Sequence, residues 1–369
     1  MSEWKLTTLA ELCTDISYGY TESAKLDKVG PKFLRITDIA NGRINWNNVP
    51  YCPISKNDFT KYKLLPGDIV IARTGATTGA NYTIKEGDPS YVVFASYLIR
   101  YKIDKKVADP SFIGHLLQSA NWYDYVDAIA GGSAQPGANA KQLGSFEILL
   151  PELFKQTAIA TILSSLDDKI DLLHRQNATL EKMAETLFRQ WFVKEAKEEW
   201  EEGKLSDLVV IKYGKDHKKL LEGKIPVYGS GGLMRFADKA IYEKESVLIP
   251  RKGTLSNVMY RDEPFWTVDT MFYTEMKKAN IAKFIFHYVK ELDLASMNVG
   301  SAVPSMTTEV LNNLPIDIPS DSFFHKFEET VKPFFIKSKS NQTQTRTLTA
   351  LRDTLLPKLM NGEVRVEIN

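Results

Sequence analysis

The sequence predicts an α+β fold with a pseudo-twofold internal repeat: two α/β domains joined and separated by two long antiparallel helices that form a coiled-coil spacer. Three observations carry this expectation. A block of sequence recurs 168 residues later without a gap, a heptad-like apolar seam follows each copy, and the segments before it mix short strand-like and helix-like runs. The length of 369 residues agrees, because a single core stops growing near about 250 to 300 residues.

The block GGSAQPGANAKQLGSFEILLP ending at Pro151 lies over VGSAVPSMTTEVLNNLPIDIP ending at Pro319. Gly132, Ser133, Ala134, Pro136, Leu143, Ile148 and Pro151 have identical counterparts at Gly300, Ser301, Ala302, Pro304, Leu311, Ile316 and Pro319. The same shift continues downstream, where Gln176, Thr179, Leu180, Thr186 and Leu187 recur as Gln344, Thr347, Leu348, Thr354 and Leu355. Upstream the shift grows to 178 at Gly67 and Glu245, 195 at Tyr18 and Tyr213, and 199 at Lys5 and Lys204. Variable and fixed parts therefore alternate twice, which divides the chain into residues 1–151, 152–196, 197–319 and 320–369. A solenoid, with its shorter period and many units, is excluded.

Within the variable parts, GDIVIAR, SYVVFASYLIRYKI and ESVLIPR are β-branched or aromatic runs bounded by Gly, Pro or Asp, and read as strands. DPSFIGHLLQSANWYDYVDAIAG and NIAKFIFHYVKELDLAS read as helical. Asn139 and Thr307 stand at equivalent places and are suited to cap a short helix. After each proline the apolar residues fall three and four apart: Ile159, Ile162, Leu166, Ile170, Leu173, Leu180, Ala184, Leu187 and Trp191. Some 35 to 40 residues at about 1.5 Å each give a rod of about 55 Å, which needs a partner helix. The second copy offers Phe327, Val331, Phe334, Leu348, Leu355 and Leu359, with a polar middle at Ser338, Asn341 and Thr345. Asn177 falls on the first seam, where a buried amide fixes register.

Composition excludes several classes. With 43% hydrophobic and 25% charged residues the chain is globular, and it has no run of 18 apolar residues for a membrane span. Two cysteines, Cys13 and Cys52, make no disulfide framework, and the first residues lack a charged segment followed by an apolar one, so a cytoplasmic protein is expected. Catalytic signatures fail in turn: no GxxxxGK[ST], no HExxH, no GxSxG, and YGSGGL lacks dinucleotide spacing. His115, His174, His217, His287 and His325 are scattered singly, which predicts structural or surface roles and no metal site; Asp167 and Asp168 read as a solvated helix face. No catalytic residue and no resident cofactor are expected.

What remains suits a polyanion. IARTGATTGANY places Arg73 after a strand, followed by Thr74, Thr77 and Thr78 among glycines that allow close approach; its repeat partner holds Arg251, Lys252, Thr254, Ser256 and Asn257. Arginine can bond guanine, and Asn or Gln adenine, in bidentate fashion. Gln135, Asn139 and Lys141 are second-line candidates beside the GSA motif.

Taken in order, KLTTLAEL and GKLSDL, LLPGDIVIARTG and ESVLIPRKG, the two GSA blocks, and the helices from KQTAIATILSSL and QTRTLTALRDTL resemble the specificity subunit of type I restriction-modification systems over nearly the whole chain. The resemblance implies two target-recognition domains, each reading one half of a bipartite asymmetric DNA site, on helices that hold them apart. It implies docking of methyltransferase subunits that use S-adenosylmethionine and of restriction subunits that use ATP and Mg, and a role in phage defence. Tyr228 and Ser230 in YGSGG then fall in a loop near DNA, and Leu166, Ile170, Leu180, Leu187, Leu348 and Leu355 become partner-binding candidates. A spacer of this kind seats two readers on one duplex face when half-sites lie about 34 to 36 Å apart. The net charge of +1 fits if partners supply much of the phosphate contact. The alternatives are a self-contained methyltransferase or nuclease, and a scaffold or specificity protein of a methylation-only defence system.

Overall fold

A computed structural model describes residues 4–40, 42–131, 137–197, 199–297 and 305–364. Both GSA motifs, and with them the candidate Gln135, lie outside these residues. The chain divides into two units, Met1–Leu172 with Gln344–Asn369, and Leu173–Thr343.

Unit 1 runs through β1 (Lys5–Thr8), β2 (Cys13–Tyr18), β3 (Lys32–Leu34), α1 (Ile36–Ile39), α2 (Lys56–Tyr62), β4 (Asp68–Ala72), β5 (Asn81–Thr83), β6 (Val92–Phe94), β7 (Leu98–Ile103), α3 (Pro110–Leu116), α4 (Ala120–Ala130), α5 (Ala140–Gly144) and β8 (Glu147–Leu150) into α6 (Leu153–Arg189). The run DIVIA of β4 is buried throughout, as a continuous apolar run in a covered sheet should be. It lies inside the antiparallel sheet β2-β7-β4-β5, while β3 and β6 form a separate parallel pair. The segment 109–131 is split in two: Asp109 caps α3 with Pro110 in its first turn, and Ser119 restarts the chain as α4.

Unit 2 continues with β9 (Glu201–Lys204), α7 (Leu205–Leu208), β10 (Val209–Tyr213), β11 (Ile225–Gly229), β12 (Gly232–Ala237), β13 (Ser246–Pro250), β14 (Met259–Arg261), β15 (Trp266–Thr267), β16 (Met271–Met276), α8 (Ala282–Glu291), α9 (Thr308–Asn312), β17 (Pro315–Ile318) and α10 (Asp321–Met360). Its antiparallel sheet β10-β16-β13-β14 repeats the order of unit 1, and the parallel pair recurs as β11 and β15, with β12 added outside β11. In each unit the opening strand pairs antiparallel with the strand before the repeated proline: Lys5 with Leu150, and Lys204 with Pro315. Asn139 caps α5 and Thr307 caps α9, each accepting a backbone N–H three residues on. The repeat in sequence is thus a repeat in topology.

The long helices, α6 and α10, share both units and run antiparallel within each. In unit 1, Ile159 and Leu163 join one core with Leu356 and Leu359, and Asp167 meets Arg352 at 2.9 Å. In unit 2, Asn177 accepts from Asn341 at 2.9 Å, while Phe188 and Phe192 pack on Phe327. The buried amide is Asn341, at 0% exposure, with Asn177 as its half-buried partner. The seam is also rotated from the one read in sequence. Leu163, Phe188 and Phe192 are buried where Ile162 is exposed and Leu166, Leu187 and Trp191 are half-buried. Both choices satisfy three-four spacing. Packing against α3 and α8 decides between them, because each rod is covered on one flank by the rest of its unit.

Candidate nucleic-acid interface

In unit 1 the chain leaves β4 at Arg73. The Arg73 carbonyl accepts from Ala138 N at 2.9 Å, and its own N–H reaches Tyr97 O at 3.1 Å. Thr74 bridges Gly137, so the strand exit is stitched to the segment that follows the GSA motif. The Arg73 guanidinium donates through Nε to Ser96 O at 3.1 Å and lies 5.3 Å above the Tyr18 ring and 5.9 Å from the Tyr97 ring. The Tyr18 hydroxyl in turn accepts from Ala140 N, in the first turn of α5, at 3.1 Å. Gly75 and Gly79 turn the loop with φ of +76° and +86°, a region that disfavours side chains. Trp122 Nε1 holds the end of the loop through Gly79 O at 2.8 Å.

Unit 2 builds the same clasp from different residues. Arg251 O accepts from Met306 N at 2.8 Å, Arg251 N donates to Thr270 O at 2.8 Å, and Lys252 bridges Ser305. The Arg251 guanidinium donates to Asp269 O at 3.1 Å and lies 5.3 Å above the Tyr213 ring. Tyr213 Oη lies 3.2 Å from Thr308 Oγ1, the repeat counterpart of Ala140. A guanidinium stacked on a tyrosine keeps its plane fixed while N–H donors remain free to point outward. Tyr18, Tyr97 and Tyr213 are 44%, 55% and 50% exposed, so each clasp lies at the surface. Sequence reasoning misses these tyrosines as site residues, although Tyr18 and Tyr213 align in the repeat.

The other candidates divide. Thr74, Thr77 and Thr78 are half-buried on the loop, and Lys141, Lys252, Thr254 and Ser256 are exposed. Asn139 is exposed, but its amide oxygen accepts from Gln142 N in the cap of α5. Asn257 Nδ2 donates to Ser230 O at 2.8 Å, joining this loop to the turn between β11 and β12. Tyr228, expected at the DNA, is 3% exposed: its ring packs with Leu248 and Phe265 beneath the Arg261 guanidinium, 4.2 Å away, and supports the hairpin from inside. Among the partner-binding candidates, Ile170 is fully buried in the seam and offers no surface; Leu166, Leu180, Leu187, Leu348 and Leu355 are half-buried. Asp167, expected on a solvated face, is half-buried between Arg352 and His115.

Burial pushes the Cys13 thiol up to about 12 and the Cys52 thiol to about 11, so neither is a thiolate nucleophile near neutral pH. Among the described residues no cluster of three or more His, Cys, Asp or Glu side chains could hold a metal ion, and no helix is long and apolar enough to cross a membrane.

A family model described as the type I restriction modification DNA specificity domain matches residues 1–182 and again 197–349. The type I restriction enzyme MjaIX specificity subunit of Methanocaldococcus jannaschii is 27% identical over 300 residues, 69% of this chain and 69% of that protein. The HindI specificity subunit of Haemophilus influenzae is 22% identical over an alignment covering 99% of this chain and 100% of that protein. The crystal structure of a type I restriction-modification S subunit from M. genitalium shares the fold, with a TM-score of 0.65 over 99% of this chain and 97% of that one at 18% identity. Matched by the family model in both halves, the chain belongs to the type I restriction-modification DNA specificity family, as a non-catalytic, sequence-specific DNA-binding specificity subunit.

Proposed function

We propose that residues 1–151 and 197–319 are two target-recognition heads, each reading one half of a bipartite asymmetric duplex site. The observation that carries this reading is the arginine-on-tyrosine clasp built twice at equivalent places. A fixed scaffold presents different side chains, Thr74, Thr77 and Thr78 in one head against Lys252, Thr254 and Ser256 in the other. The half-sites therefore differ. Arg73 spends Nε, and Arg251 one terminal nitrogen, on backbone carbonyls, which leaves donors for guanine or phosphate.

The half-buried leucines of α6 and α10 dock methyltransferase and restriction subunits, on which S-adenosylmethionine, ATP and Mg act; the complex works in the cytoplasm, where its duplex is. Selection from randomised duplexes, with the full chain alone and with its methyltransferase partner, tests the reading. One bipartite motif should emerge, and Arg73→Ala and Arg251→Ala should each cost about 1 to 3 kcal/mol and relax a different half-site. An unenriched pool, or both variants relaxing the same half-site, would overturn it.

A further inference from the structure

Strand β12 is the outer strand of the sheet β12-β11-β15, whereas the matching pair β3-β6 of unit 1 is flanked outside β3, among the described residues, only by isolated bridges at Tyr51. Its sequence GLMRFA leaves Leu233, Met234 and Phe236 exposed by 48%, 54% and 43%. Large apolar side chains on an exposed sheet edge are a liability unless something covers them.

The pairing explains how two consecutive apolar residues both face outward. Tyr228 pairs with Leu233 and Val227 with Arg235, so Met234 is the extra residue of a β-bulge. Alternation would otherwise send one of the two inward; a bulge re-aims the side chain. Arg235 is turned back, donating to His217 O at 2.6 Å and Leu220 O at 2.9 Å.

Charge identifies the occupant. The segment that Arg235 clamps to the hairpin carries Lys215, Lys218 and Lys219, all exposed, with Asp216 as the carboxylate among them. The hairpin tip is fixed to the Arg251 loop through the Asn257 to Ser230 bond. An apolar point flanked by ammonium groups matches an apolar base stack flanked by phosphates, and apolar side chains of this kind enter and part base steps.

We propose that Leu233 and Met234 form a wedge that enters a base step of the half-site read by the second head, while Lys215, Lys218 and Lys219 hold the flanking phosphates. The proposal rests on the DNA-reading function above. It adds that one head deforms its half-site and the other does not, since among the described residues the first head carries only isolated bridges at Tyr51 outside β3, in place of a hairpin strand with an apolar tip.

The test uses the full chain, without methyltransferase subunits, on the selected duplex with 2-aminopurine placed in turn at each step of both half-sites. Binding should raise the fluorescence several-fold at one step in one half-site only. Leu233→Gln with Met234→Gln should return that step to the free-duplex level and weaken specific binding about ten-fold, with nonspecific binding and the melting temperature unchanged. Replacing the three lysines by Ala should instead weaken binding to every duplex and reduce the slope of log K against log salt by about 2.7. Specific binding with no brightened step, or a signal that survives the double Gln variant, would overturn the wedge and leave the reading function standing. Absence of any sequence preference would overturn the reading function, and the wedge with it.

Discussion

The helices α3 and α8 occupy the same place in the two units, and each presents a histidine to the long rods from the related segments FIGH (112–115) and FIFH (284–287). His115 meets polar groups: Ser164 Oγ at 3.0 Å and Asp167 at 3.6 Å, with Arg352 on the same carboxylate and an open cavity of about 1110 Å³ beside them. His287 meets rings instead, stacking on Phe188 at 5.7 Å with Phe335 at 6.0 Å, and its buried Nε2 has no hydrogen-bond partner among the described residues. The 168-residue shift that relates the rods turns Asp167 into Phe335 and Arg352 into Ala184. Unit 2 places its charge elsewhere, in the buried pair of Lys283 and Glu328 at 2.7 Å, where the corresponding residues of unit 1 are Ser111 and Ala160. The topology of the joint is thus fixed by backbone and apolar spacing, while its polarity is free to change as long as every buried charge keeps a partner.

Five variants break or sharpen this contrast. Glu328→Ala removes the buried partner of Lys283, which is 3% exposed, and leaves it only the more exposed Glu245 at 3.0 Å. It should cost about 3 kcal/mol in chemical denaturation, and Lys283→Met with Glu328→Leu should recover most of that loss. A cost near zero would mean that the pair is not buried in solution.

The next effect is one of pH. Burial depresses the pKa of His287 to about 3 from an ordinary value near 6.5, so its contribution to stability is complete above pH 6.5 and drains away as pH falls toward 3. His287→Phe should remove about 2 kcal/mol of acid sensitivity at pH 5, read as a flatter pH dependence of the melting curve below 6.5. Burial lowers the pKa of His115 as well, but the Asp167 carboxylate pulls the other way, so the same change at His115 should flatten the curve less.

The smallest effect is Asp167→Asn, about 1 kcal/mol, because Arg352 keeps Asp353 at 2.7 Å and the site is partly solvated. Its signature is local: amide exchange should quicken in α3 and stay unchanged in α8. Equal acceleration in both would contradict the separate wiring of the two joints.

Local signals were legible in the sequence. The strands β4 and β13 and the caps Asn139 and Thr307 depend on neighbours a few residues away or on the repeat itself. The seam was legible in period but not in phase, since Leu163 and Ile162 satisfy the same spacing and only the covering helix chooses between them. The arginines of the candidate site were legible from type and place. Their tyrosine partners were not, because Tyr18 and Arg73 are brought together by strand pairing across the sheet. The fate of Tyr228 was hidden for a similar reason: a residue beside a glycine-rich turn can face either way, and the bulge at Val227 and Tyr228 settles it.

Because β1 is zipped to β8, and β9 to β17, the polypeptide enters and leaves each head at one narrow gate. A segment whose two ends are neighbours can be exchanged as one cassette, although each head also packs on the rods through α3 or α8. Genetic exchange cut at those ladders would transplant an entire head, and the newcomer would need an α3 or α8 face that fits the resident rods.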